Sequence, residues 1–337
     1  MEKNRERRNH TLDLLRLAFA VLVLLSHAAE ITDGNYSREI GARLTHMTFG
    51  SIGVDGFFLL SGFLIVKSWE KNPKPIDYLT KRVLRIVPGY LVAVLLSTLV
   101  VGLLAPGVEG FFRKLGSRYA VSVLLLGAPV TPIVFPGCPL NTVNGSLWTI
   151  TYEFGCYLLV LLFGWLGLFR VRPLCLAVSL ALVGDLFHPY FHHHNDLISA
   201  VRLTAVFSVG ACFYLFRDRI VFRPLFAAIA AVAGPVLIML FPHDTEGAIV
   251  VFGGYLMFYL VQLPLRVPTF PDISYGVYLY GYPIEALWIW YHRGSPWVTF
   301  LAATLISIGL GWLSWEFIEH PMLLLKRKNL SPARTAI

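Results

Sequence analysis

The chain has 337 residues, of which 56% are hydrophobic and 14% charged, with a mean hydropathy of +0.65. These values exclude an ordinary soluble domain and predict one membrane domain over 1–337, flanked by basic tails at about 1–11 and 322–337. The net charge of +8 is no sign of a nucleic-acid partner, because the Lys and Arg residues sit in short loops between apolar runs.

The first predicted element, TLDLLRLAFAVLVLLSHAAE from Thr11 to Glu30, is long enough to cross ~30 Å of hydrocarbon as a helix. It lacks a small-residue cleavage site and reads as a retained span rather than a signal peptide. It carries Arg16 near its start and His27 near its end. Each ionisable group inside a span costs roughly 2.5–3.5 kcal/mol near the centre, and such groups mark functional sites. Alone, Arg16 could snorkel to the headgroups and His27 could sit at the interface. Together they stand ~16 Å apart and about 20° apart in azimuth, so one helix face presents a cation low and an imidazole high.

Further apolar runs follow near 51–68, 86–104, 119–135, 147–168, 173–188, 197–215, 224–241, 247–264, 274–291 and 296–318. The N-terminal Lys3, Arg5, Arg7 and Arg8 place that end in the cytoplasm by the positive-inside rule. If the run at 119–135 does not cross, the inner segments hold 20 of the 28 Lys and Arg, including Arg170, Arg219, Lys328 and Arg334. If it does cross, every later basic loop flips outward. That run is also interrupted or followed closely by Pro132, Pro136 and Pro139, which suits a re-entrant or interfacial segment. The fold class expected is therefore all-α, polytopic, with about ten transmembrane helices and both termini cytoplasmic.

This topology puts His27, Asp55, Glu153, Arg202 and Glu285 at one depth near the outer face. Arg16, Arg82, Arg85, Tyr275, Glu316 and Glu319 fall at the inner rim. The outer group can pair around a watery cavity without facing lipid, or consist simply of ion pairs that pack helices. His27 has an ordinary pKa near neutrality and is the natural base of the group. The cluster His188, His192, His193 and His194 reads as a polar external loop. The cysteines Cys138, Cys156, Cys175 and Cys212 have no metal-ligand spacing, so no metal is expected. Gly50, Gly53, Gly56 and Gly62 suit close helix packing, and Ser61 lies in no nucleophile-elbow pattern.

Four stretches, in order, resemble the acyltransferase-3 family of integral membrane acyltransferases. They are LDLLRLAFAVLVLLSH with Arg16 and His27, SIGVDGFFLLSGFLI with Asp55 and Ser61, YLTKRVLRIVPGY with Arg82 and Arg85, and NGSLWTITYEFGCYLL with Trp148 and Glu153. The later ISYGVYLYGYPI and WEFIEHP stretches extend the resemblance from about Leu12 to Pro321. Members often carry His in the late Ser-Tyr motif where this chain has Gly281, so that position is given no role. No additional hydrolase-like domain is expected after it. The resemblance implies ten spans, a cytoplasmic acyl-CoA donor, usually acetyl-CoA, and an acceptor hydroxyl on a carbohydrate or lipid-linked glycan outside.

Acyl transfer to a hydroxyl needs a base and stabilisation of an oxyanion. His27 is expected to carry the chemistry, with Glu153 or Asp55 orienting its ring as a carboxylate does in a triad. Whether His27 activates the acceptor or is itself acylated stays open. Arg82, Arg85 and Arg16 are expected to hold the donor's phosphates. A proton-coupled transporter would also use intramembrane His, Asp, Glu and Arg and stands as the alternative, although no second half of the chain mirrors the first.

Overall fold

The computed structural model describes residues 10–35, 39–45, 47–186, 196–242 and 245–329. The four basic residues at 3, 5, 7 and 8, the cluster of His188 and His192 to His194, and Arg334 lie outside the described residues. Among the described residues the regular elements are helices. They run α1 His10–Asp33, α2 Ile40–Thr45, α3 Phe49–Lys71, α4 Pro75–Leu104, α5 Ser117–Leu124, α6 Trp148–Trp165, α7 Arg172–Leu186 and α8 Asp196–Leu215. Then come α9 Pro224–Leu240, α10 Thr245–Ala248, α11 Gly254–Gln262, α12 Ser274–His292, α13 Pro296–Ser314 and α14 His320–Asn329. Short π-helical turns join α10 to α11 and α13 to α14.

Seven of these helical segments are long and apolar enough to cross a membrane, and α7 and α9 are shorter apolar helices. The helix α12 is central: 12 of its 19 residues are buried, packed among α1, α4 and α13. The exterior is apolar, with Leu95 and Leu103 of α4, Val232 and Met239 of α9, and Leu301 and Leu305 of α13 all exposed, as lipid contact requires. In the run at 119–135 only α5 is helical. Its eight residues reach ~12 Å, well short of the hydrocarbon thickness. Beyond it the chain is irregular to a lone antiparallel bridge between Pro106 and Val134.

Between helices in lipid the hydrophobic effect is weak, so close backbone approach must supply the contact. The α3–α8 pair shows how. A Cβ built on Gly62 would stand 2.0 Å from the Phe207 carbonyl oxygen, and one on Gly210 would stand 2.0 Å from that of Leu59. Each glycine receives the other helix's backbone, and no larger residue fits.

Pro283 inside α12 has no N–H, so the carbonyl four residues earlier loses its helical partner. That carbonyl belongs to Leu279, and the Asn144 side-chain amide donates to it at 2.9 Å. One position before, Ser146 Oγ donates to the Tyr278 carbonyl at 3.2 Å, and the Tyr278 hydroxyl donates back to the Ser146 carbonyl at 2.5 Å. The segment leading into α6 is thus docked on the opened turn of α12, which fixes where α6 presents Glu153.

Candidate active site

The helices α1, α3, α4, α6 and α12 enclose a cavity of about 300 Å³. Its wall includes Arg16, Ser61, Lys81, Arg82, Arg85, Thr149, Glu153, Tyr157, Tyr275 and Tyr278. Part of the wall is cationic. Asp272, just before α12, accepts from Arg16 at 3.1 Å and from Arg85 at 2.7 Å, and Arg85 also reaches Glu319 at 3.2 Å. Arg82, one helical turn before Arg85, donates to Ser68 Oγ at 3.0 Å and lies 5.7 Å from the ring centres of Tyr78 and Tyr157. Among the described residues Arg82 forms no ion pair with a carboxylate.

Beside it the wall carries a hydroxyl–carboxylate cluster. Glu153 and Tyr157 share one face of α6 because they are four residues apart. Glu153 Oε1 accepts from Tyr157 at 2.5 Å and from Ser61 at 3.0 Å. Thr149 and Tyr278 meet at 2.7 Å behind them.

His27 lies outside this cavity wall, toward the other end of α1. Its Nδ1 stands 3.8 Å from Glu285 Oε2, and its ring meets Tyr282 edge-to-face at 5.3 Å. Tyr282 in turn shares a 2.7 Å hydrogen bond with Thr142. Tyr278 belongs to the cavity and Tyr282, one turn further along α12, to the surroundings of His27. Between α1 and α3, Glu39 accepts from Ser26 Oγ at 2.8 Å and from the backbone N–H of Phe49 at the start of α3. Burial pushes the Glu39 carboxyl above its usual range, against the pull of both hydrogen bonds.

The five charges expected at one depth divide into three groups. Glu285 is beside His27. Asp55 pairs with Arg202 at 2.7 Å, and Arg202 with Glu246 at 2.6 Å. Glu153 belongs to the cavity. The carboxylate beside His27 is therefore neither Glu153 nor Asp55, a correction to the sequence reading with a simple cause. Hydropathy gives a residue's depth, but which helices face each other decides its partner. Likewise Arg16 and Arg85 are not open cations, because Asp272 and Glu319 engage them. The sequence reading missed Asp272, which falls in a loop, and the roles of Ser61 and Tyr157. The four-residue spacing of Glu153 and Tyr157 was the one available signal. Among the described residues no group of His, Cys, Asp and Glu is arranged to hold a metal.

The molecule is a polytopic helical membrane protein with a cavity whose wall carries Arg16, Lys81, Arg82 and Arg85 and with a histidine outside that wall. Residues 9–316 match the family model described as an acyltransferase domain, and the chain belongs to this acyltransferase-3 family. It is a transferase of acyl groups. Among curated proteins it is similar to an "O-acetyl transferase" of Shigella phage Sf6, at 25% identity over 96% of this chain and 99% of that protein. It is also similar to "Nodulation protein 10" of Rhizobium leguminosarum bv. viciae, at 27% identity over 93% of each. No solved structure matches.

Proposed function

We propose that the protein moves an acyl group, in the first instance acetyl, from cytoplasmic acyl-CoA to a hydroxyl of an extracytoplasmic carbohydrate or related acceptor. The cavity is the observation that carries this reading. Coenzyme A is polyanionic at its nucleotide end and a thin, nearly neutral arm at its thioester end. Lys81, Arg82 and the paired Arg16 and Arg85 in the cavity wall suit the phosphates, and the apolar Val54, Phe57, Phe58, Ile65 and Ile150 of the same wall suit the arm. The O-acetyl transferase relative favours acetyl. In the reaction the acceptor oxygen bonds to the thioester carbon, His27 takes its proton, and the carbon–sulfur bond breaks to release CoA thiolate.

The donor-binding part has a direct test. Arg82→Ala is expected to raise KM for acetyl-CoA about tenfold or more, a charge-assisted hydrogen bond being worth ~1.5–3 kcal/mol, and to leave kcat within a few-fold. Arg85→Ala is expected to lose folded protein first, because it strips the buried Asp272 and Glu319 of a partner. An unchanged KM in well-folded Arg82→Ala would reduce that residue to a headgroup anchor and remove the main support for the donor site.

The proposed topology has ten spans, with α7, α9 and α12 crossing, residues 119–135 re-entrant or interfacial on the outer side, and both termini in the cytoplasm of a bacterial inner membrane. In a variant lacking Cys138, Cys156, Cys175 and Cys212, a cysteine placed at Arg170 or Lys328 is expected to resist an impermeant thiol reagent in intact cells. A variant retaining Cys138 alone is expected to react. Labelling at 328 without labelling at 138 would overturn the topology.

A further inference from the structure

We infer that Glu285 is the positioning residue of His27, accepting the Nδ1 hydrogen so that Nε2 faces the acceptor hydroxyl. This rests on the acyl-transfer reading above. Glu285 is fully buried, and neither of its carboxylate oxygens has a hydrogen-bond partner among the described residues. Other buried acids have partners: Asp55 pairs with Arg202, Asp272 and Glu319 with Arg85, and Asp13 with His10, while Glu39 accepts two hydrogen bonds. Among the described residues the cationic partner within ion-pair reach of Glu285 is the His27 Nδ1, the Glu30 carboxylate being a further charged neighbour, and that nitrogen is also buried without a hydrogen bond.

The two residues face each other because of how α1 and α12 meet. A Cβ on Gly281 would lie 2.5 Å from the Leu24 side chain, so this glycine lets the helices close. One turn further along each helix, Leu24 gives way to His27 and Gly281 to Glu285. Tyr282 packs against the imidazole and is itself held by Thr142, which limits the ring's freedom to turn away. The 3.8 Å gap is about 0.8 Å beyond a hydrogen bond, and such bonds commonly tighten only when substrate is bound.

In the transfer step the acceptor O–H proton goes to Nε2, the oxygen bonds to the acyl carbon, and the electron pair of the carbon–sulfur bond leaves on CoA sulfur. The imidazolium formed then has its second N–H against the Glu285 carboxylate. The proton subsequently leaves Nε2 for the thiolate or for water, restoring the neutral ring. A carboxylate buried without compensation costs stability, a cost that a purely structural residue would not impose.

The test uses purified wild-type, Glu285→Leu and Glu285→Asp proteins in nanodiscs with isotope-labelled histidine, the His27 signals being assigned by their loss in His27→Ala. Transfer is followed with radiolabelled acetyl-CoA in inverted vesicles from cells that make the native acceptor. Wild type is expected to hold its proton on Nδ1, and Glu285→Leu to shift the ring toward the Nε2–H tautomer. The same variant should lose transfer by about 10²-fold or more, with KM for acetyl-CoA within twofold and an equal or higher melting temperature. Glu285→Asp should recover part of the transfer. If the tautomer is unchanged in Glu285→Leu, or if transfer per folded molecule is retained, the assignment is overturned. If Glu285→Leu does not fold, Glu285→Asp decides by the same two readouts. Absence of any transfer by wild type would sink the functional reading instead, while the tautomer still decides whether the pair exists.

Discussion

His27→Ala is expected to insert and fold, keep acetyl-CoA affinity within a few-fold, and lose nearly all transfer. Removing a general base costs ~10²–10⁴ in rate. The donor cavity should be spared because His27 is not part of its wall. Radiolabelled transfer in vesicles, set beside acetyl-CoA binding to the purified protein, separates the two quantities. A His27→Gln variant that keeps more than roughly a tenth of wild-type turnover would remove His27 from the chemistry. Glu153→Gln is expected to act differently. It alters the cluster with Ser61 and Tyr157 inside the cavity, so its loss should add to that of His27→Ala rather than disappear into it, as the effects of residues acting as one unit do.

Arg202→Leu is expected to cause the largest loss of stability. It leaves Asp55 and Glu246 together in the bundle without their cation. Breaking a buried ion pair from one side costs about 3–5 kcal/mol, a large share of the ~5–15 kcal/mol that holds a typical protein folded. The melting temperature in detergent should fall steeply and the amount in the membrane with it. Replacing all three charges by Leu or Met should recover much of that loss, since apolar substitutes of similar volume are often neutral or better. The recovered variant also settles the role of Asp55. Retained transfer makes the triad structural, whereas a stable but inactive protein returns Asp55 to the chemistry.

Arg16 and His27 were legible because both lie on one apolar run and the helical repeat relates them without any tertiary information. The same holds for Arg82 and Arg85, three residues apart in a basic stretch. What stayed hidden needed two helices at once. Glu285 and Asp55 sit at similar depths in the sequence reading, yet the rotation of α12 against α1 gives His27 to Glu285, and the tight α3–α8 crossing gives Asp55 to Arg202. Loop residues were hidden for a second reason. Nothing in the hydropathy of Asp272 tells that it gathers two arginines, and Asn144 is explained only once Pro283 has freed the Leu279 carbonyl.

The Asp55–Arg202 pair bears on how the protein is made. Its members are 147 residues apart in the chain, and synthesis at ~5–20 residues per second separates their emergence by roughly 7–30 s. For that interval α3 has left the ribosome with its carboxylate and without the helix that will shield it. The earliest spans are therefore made before α8 can complete the pair. A chain that ends before residue 202 lacks the cation that pairs with Asp55.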